Sequence, residues 1–280
     1  MMPLCLIPIK NRKKRYWKRS SVWWRKTRSS LLSFMDTTTQ HKPQTEKYKV
    51  PFGVRLRRLI GRPVFRFIFW LLADLRVTGL ENVPVDTGYI LAYNHLSLVE
   101  PPLILAYWPE HPEAIAGDDV FYRPMQGALV RYYGALPVHR GRYDRTVIDT
   151  MVQILESERP VMIAPEGGRS STGALIRALP GVGYLMDQAH VPVVPVAVIG
   201  GDKNFLRRAF TFQRPKIEVR IGEPFALPPI EGRGAERRAA RQRNADIVMV
   251  HLAHLLPEEM QGEYAGIPLE NLEASLDGFM

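Results

Sequence analysis

A histidine and a carboxylate stand five positions apart in Asn94-His95-Leu96-Ser97-Leu98-Val99-Glu100, directly after the apolar run Tyr89 to Tyr93. An imidazole with one ring nitrogen held by a carboxylate can take a proton from a hydroxyl through the other. Glu166, seventy-one residues after His95, lies in Pro165-Glu166-Gly167-Gly168-Arg169-Ser170, also behind an apolar run, Val161 to Ala164. Two glycines there let backbone amides approach a ligand, and the Arg169 fork matches a phosphate. Glu166 has a choice of partners, Arg169 or the ligand. Taken singly, each block has an ordinary structural explanation: a satisfied histidine, or a strand-to-loop turn with a surface arginine. Their joint occurrence points to proton abstraction beside a phosphate.

Two further stretches belong with these. Gly134-Ala135-Leu136-Pro137-Val138-His139-Arg140 sets basic residues behind a short apolar run, where Arg140 could collect a phosphate or lie in a solvated loop. His139 reads as structural. Val191-Pro192-Val193-Val194-Pro195-Val196-Ala197-Val198 is apolar enough to be buried, yet carries two prolines. Proline cannot donate to a ladder, so this strand is expected at an edge or a bulge. Pro192, Val193 and Pro195 are candidates for the wall of an apolar acyl pocket, with plain core packing as the alternative.

Both reactive blocks need strands behind them. Apolar runs at Leu75–Val77, Tyr89–Ala92, Glu113–Ala116, Ala135–Val138, Pro160–Ile163, Val191–Val198 and Lys216–Ile221 alternate with helical stretches at Pro102–Trp108, Met125–Tyr133, Tyr143–Ser157 and Gly181–Ala189. That alternation predicts an α/β fold: a mixed, largely parallel sheet flanked by helices. His95 and Glu166 then leave the carboxyl ends of strands, where ligands bind in such sheets. Pro101 and Pro102 disfavour helix at Glu100 and suit a helix starting just after it.

Charge is distributed unevenly. The first 35 residues hold ten Lys/Arg and no acid, so the other 28 basic residues balance all 28 acids and the net +10 lies in the N-terminal tail. Tyr16, Trp17, Trp23 and Trp24 within it favour a lipid interface over nucleic acid, with a solvated tail as the bland alternative. Residues 51–75 alternate Arg55, Arg57, Arg58, Arg62 and Arg66 with bulky apolar side chains, and Pro63 is expected to split them into two short amphipathic helices that meet a membrane interface, the protein's own core, or both. The chain thus divides into a basic tail and linker (1–50), a membrane-docking segment (51–75), an α/β domain (76–230), and a C-terminal helix and tail (231–280). Cys5 alone excludes an intramolecular disulfide and a cysteine-rich metal site. No apolar run nears the roughly 20 residues of a membrane span.

In their order, the four blocks resemble the glycerolipid acyltransferase family, the group that includes 1-acyl-glycerol-3-phosphate acyltransferase. Asn94 to Glu100 is similar to its His-x4-Asp block, Gly134 to Arg140 to its Arg-bearing block, Pro165 to Ser170 to its Pro-Glu-Gly-Thr-Arg-Ser block, and Val191 to Val198 to its Pro-rich block. The resemblance implies that His95 is the base and Glu100 its partner. It further implies that Arg140, Glu166, Gly167, Gly168, Arg169 and Ser170 bind a phosphate-bearing acceptor. The expected reaction carries a fatty acyl group from acyl-CoA or acyl carrier protein to a hydroxyl of lysophosphatidic acid, with no cofactor or metal, on the cytoplasmic face of a membrane. Glu100 and Gly168 depart from the family's Asp and Thr, which leaves a glycolipid sugar hydroxyl as an alternative acceptor. A serine hydrolase using Ser97 or Ser170 and a non-catalytic lipid-binding protein are the readings from other classes; no Gly-x-Ser-x-Gly elbow is present.

Overall fold

The computed structural model describes residues 47–139, 144–202, 204–270 and 272. The basic tail and Arg140 lie outside these residues. Seven strands form one sheet: β1 (Asp74–Thr78), β2 (Ile90–Tyr93), β3 (Glu113–Gly117), β4 (Leu136–Val138), β5 (Val161–Ile163), β6 (Val193–Ile199) and β7 (Lys216–Ile221). Their order is β1-β7-β6-β2-β5-β3-β4, with β2 to β6 all parallel and β7 antiparallel to β6. All seven apolar runs thus become strands of a mixed, mostly parallel sheet.

Seven α-helices cover it: α1 (Phe52–Leu72), α2 (Glu100–Tyr107), α3 (Pro124–Tyr133), α4 (Arg145–Glu156), α5 (Gly181–Ala189), α6 (Phe205–Phe210) and α7 (Ala235–Ala253). Side chains alternate across the sheet with the period of two that strands impose. Ile90, Ala92, Val193 and Ala197 pack under α4, α5 and α7, whereas Leu91, Tyr93, Val194, Val196 and Val198 pack under α1, α2 and α6. Among the described residues, no helix is long and apolar enough to cross a membrane.

Two expectations need correction. Pro63 does not divide residues 51–75, for α1 runs through it as one helix of 21 residues. Bonds from α1 to its neighbours outweigh the missing amide. Arg57 Nε donates to Tyr132 O and Arg58 Nε to Tyr133 O, both at 2.9 Å, at the end of α3. Arg62 reaches Ala106, Trp108 and Pro109 carbonyls, and Arg66 reaches Ala106, at the end of α2. Last-turn carbonyls lack helical partners and carry the negative end of the helix dipole, so guanidinium groups suit them. Arg58 also clamps the buried Glu113 with two bonds of 2.8 and 2.7 Å, and Arg159 adds another at 2.6 Å.

Second, Glu100 is itself the first residue of α2, ahead of both prolines. Its carboxylate is bound by Ser97, which closes a turn over 97–100 and holds Glu100 helical against the preference of a residue before proline. Of the two places expected for β6, an edge or a bulge, it takes the second: it lies inside the sheet, beside a bulge. Its ladder to the following segment slips: Val193 faces Phe225 but Val196 faces Ile221, three steps against four. Pro195 sits in that bulge, beside the end of β7, where its carbonyl still accepts from Gly222 N (2.9 Å).

Candidate active site

β2 and β5 are neighbours, yet the chain leaves β2 for α2 on one face and leaves β5 for α5 on the other. Such a divergence opens a crevice at the carboxyl ends of the two strands. Asn94 fixes the exit from β2. Its side chain donates to Val198 O (3.0 Å) and accepts from Val198 N (2.7 Å), adding a rung to β6. His95 is then pinned through its backbone to the loop after β5. Its amide donates to Glu166 Oε1 (3.0 Å) and its carbonyl accepts from Ser170 N (2.8 Å).

The imidazole is held as tightly. His95 Nδ1 lies 3.2 Å from Glu100 Oε2, and the Tyr93 ring packs beside it with centroids 5.6 Å apart. Glu100 is fully buried and accepts from Ser97 N on both oxygens (3.0 and 2.8 Å) and from Ser97 Oγ (2.8 Å). Nδ1 keeps its proton and donates it as a hydrogen bond to this carboxylate, so Nε2 is left as the basic nitrogen. Gly201 backs this carboxylate: a Cβ there would stand 2.6 Å from Glu100 Oε1.

The second block divides between support and cavity wall. Glu166 is 4% exposed and binds two backbone amides, those of His95 and of Ile176 (3.3 Å). It does not reach Arg169 or line the cavity, so its expected place in acceptor binding is corrected to bracing His95. Burial, and then the nearby Glu100, push its carboxyl up to about 7 against the pull of those two amides. Gly167 adopts φ +69°, and a side chain would run into Leu179. Gly168 has open space where a Cβ would be. Both glycines line the cavity with Arg169, which is exposed. The Ser170 hydroxyl is turned to Ala174 O (2.6 Å) and Thr172, and the Ser97 hydroxyl is engaged by Glu100. Neither faces His95, which removes the serine-nucleophile reading.

His95, Gly167, Gly168 and Arg169 open on a cavity of about 1410 Å³. It extends under α1, α2 and α3 past Phe65, Leu105, Ala114, Leu129, Val130 and Met162. Pro192, Val193 and Pro195 do not line it. The period of two turns Val193 away into the core under α7, so the acyl-pocket expectation for these residues gives way to core packing. His139 has two carboxylates nearby: Asp118, directly after β3, lies 3.4 Å from its Nε2, and Asp144, five residues on, 3.8 Å from its Nδ1. Gly201 was missed, although Gly200-Gly201 follows an apolar strand as Gly167-Gly168 does. For the arginines of α1 the sequence leaves lipid and the protein's own core both open, because nothing in it shows which helix ends lie within reach.

Residues 74–199 match the family model described as Acyltransferase. A 1-acyl-sn-glycerol-3-phosphate acyltransferase of Bacillus subtilis (strain 168) is 27% identical over 185 residues, covering 64% of this chain and 90% of that protein. One from Limnanthes alba is 26% identical over 186 residues, covering 63% of this chain but 62%, less than two thirds, of the plant protein. Among solved structures, the 1-acyl-sn-glycerophosphate (LPA) acyltransferase PlsC from Thermotoga maritima overlaps 83% of this chain and 92% of its own, with a TM-score of 0.46 and 22% identity.

Proposed function

We propose that this chain, whose residues 74–199 match the Acyltransferase family model, moves a fatty acyl group from a thioester to the free hydroxyl of 1-acylglycerol 3-phosphate, a step of phospholipid synthesis. The observation that carries this reading is the His95–Glu100 contact of 3.2 Å at the mouth of a large, partly apolar cavity that Arg169 also lines. His95 Nε2 removes the hydroxyl proton as the oxygen attacks the thioester carbonyl. Glu100 holds the tautomer and balances the imidazolium. When the carbon–sulfur bond breaks, the imidazolium returns its proton to the departing thiolate, giving an ester and a free thiol. Arg169 and the Gly167-Gly168 turn bind the acceptor phosphate, and the acyl chain lies along Phe65, Leu105 and Met162. The names of the relatives favour a glycerophosphate acceptor over a sugar hydroxyl.

In this reading α1 seats the protein on the cytoplasmic face of a membrane as a peripheral or monotopic enzyme. Phe52, Leu59, Ile60, Phe67 and Trp70 are each more than half exposed on it. Four of its five arginines bind carbonyls of α2 and α3, so apolar insertion and not charge is the main contribution of this helix. The test is an acyl-transfer assay pairing acyl-CoA and acyl carrier protein donors with lysophosphatidic acid and a glycolipid acceptor. Product from lysophosphatidic acid is the expected result; transfer only to the glycolipid, or hydrolysis of the thioester without transfer, would refute the assignment.

A further inference from the structure

One wall of the cavity has no part in the steps above. It is built where α5 and α7 pack antiparallel: Gly183 lies against the backbone of Arg241, and Asp187, one turn on, binds both Arg241 and Arg237. The Arg241 guanidinium covers the Tyr184 ring, 4.2 Å from its centroid. Arg238, three residues before Arg241, is exposed and lines the cavity with Arg241, Gln242 and Tyr184. Three arginines against the single carboxylate of Asp187 leave this wall positive. Gly181 and Val182, the first turn of α5, line the same stretch, and no side chain caps that turn. Its amides add to the attraction for an anion.

We propose that this wall binds the phosphate of the donor's pantetheine arm, an anion separate from the acceptor phosphate; the proposal rests on the acyl-transfer reading of the site. A cavity of about 1410 Å³ exceeds the roughly 300–1,000 Å³ of a typical small-ligand pocket, and the reaction needs two substrates at once. Arg169 stands next to Ser170, whose amide touches His95, so it suits the acceptor, whose phosphate and hydroxyl are close together. The wall lies beyond it along α5. That suits an anion carried on a long flexible arm, remote from the reacting thioester. Tyr184 under Arg241 gives the arm a flat, partly apolar surface to lie on.

The same phosphate occurs in acyl-CoA and in acyl carrier protein, so the experiment uses both, with the full-length protein and its Arg238→Gln and Arg238→Lys variants. Charge-assisted bonds to phosphate support about a tenfold effect. For Arg238→Gln, KM for palmitoyl-CoA or for palmitoyl-acyl carrier protein should rise about tenfold, with KM for lysophosphatidic acid within about twofold of the parent. Arg238→Lys should restore most of the loss, and the donor that shows the loss identifies the source of the phosphate. Palmitoyl-pantetheine, which has no phosphate, should serve parent and variant equally. Calorimetric titration with coenzyme A is read apart from turnover and still decides the matter should no acyl transfer occur with any donor. Unchanged donor KM, a rise confined to the acceptor, or an equal loss with palmitoyl-pantetheine in a variant of parental thermal midpoint would overturn the proposal.

Discussion

Ser97 grips Glu100 three ways, with its amide on both carboxylate oxygens and its hydroxyl 2.8 Å from Oε1, while the same hydroxyl accepts from Val99 N at 3.1 Å. The carboxylate is therefore oriented before any substrate arrives, and the imidazole of His95 inherits that orientation. Ser97→Ala removes one charge-assisted bond and leaves the two amide bonds. Turnover should fall about tenfold with KM little changed, since the loss falls on the base and not on a substrate contact. Steady-state kinetics check this, and an unaltered kcat would show that the hydroxyl has no part in aligning the pair.

Gly201 gives an independent handle on the same carboxylate. A methyl group there would lie 2.6 Å from Glu100 Oε1 and 3.4 Å from Ser97 Oγ, so the carboxylate must turn away from it. Gly201→Ala should lower turnover at least about tenfold without touching substrate, and thermal stability should move little because the displaced atoms end a flexible side chain. A variant with parental turnover would mean that the carboxylate position is not critical.

Glu166 predicts how stability varies with pH. Its carboxyl is raised from 4.5 in the unfolded chain to about 7 by burial. Between those values the folded state holds a proton that the unfolded state has lost, so stability should fall as pH rises from about 4.5 to 7 and level off above. The shift corresponds to at most about 3 kcal/mol. Glu166→Gln should flatten this dependence in thermal unfolding between pH 5 and 7.5. An equal slope in parent and variant would assign it to other groups.

The exposed apolar residues of α1 predict lipid attachment. Phe67 and Trp70, with ring centroids 5.8 Å apart, are 59% and 58% exposed. Replacing both by Ser should reduce sedimentation with phospholipid vesicles several-fold while leaving transfer between detergent-dispersed substrates intact. Undiminished sedimentation would place attachment elsewhere.

Much of this arrangement was legible in the residues because it rests on local pattern. The seven strands follow from short apolar runs, and the pairing of His95 with Glu100 follows from a loop bounded by a strand and two prolines. What escaped depends on contacts between distant segments. Glu166 looks like a ligand-binding acid until its oxygens are found on the amides of His95 and Ile176, seventy-one and ten residues away. Pro195 leaves an edge and a bulge both open, and only the one-residue slip opposite β6 shows which of the two it takes. Lipid and the protein's own core are both open to the α1 arginines until the ends of α2 and α3 are seen beneath them. Periodicity assigns a residue to a face, but only the fold reveals what that face meets.

The central claim is that the imidazole at position 95 is the base for acyl transfer. The direct measurement is the rate of phosphatidic acid formation from an acyl thioester and lysophosphatidic acid by His95→Ala, with folding verified by an unchanged thermal midpoint. General-base catalysis is worth about 10²–10⁴-fold, so the variant should lose at least about 10² in kcat. A folded His95→Ala protein that forms phosphatidic acid at the parental rate would contradict the account.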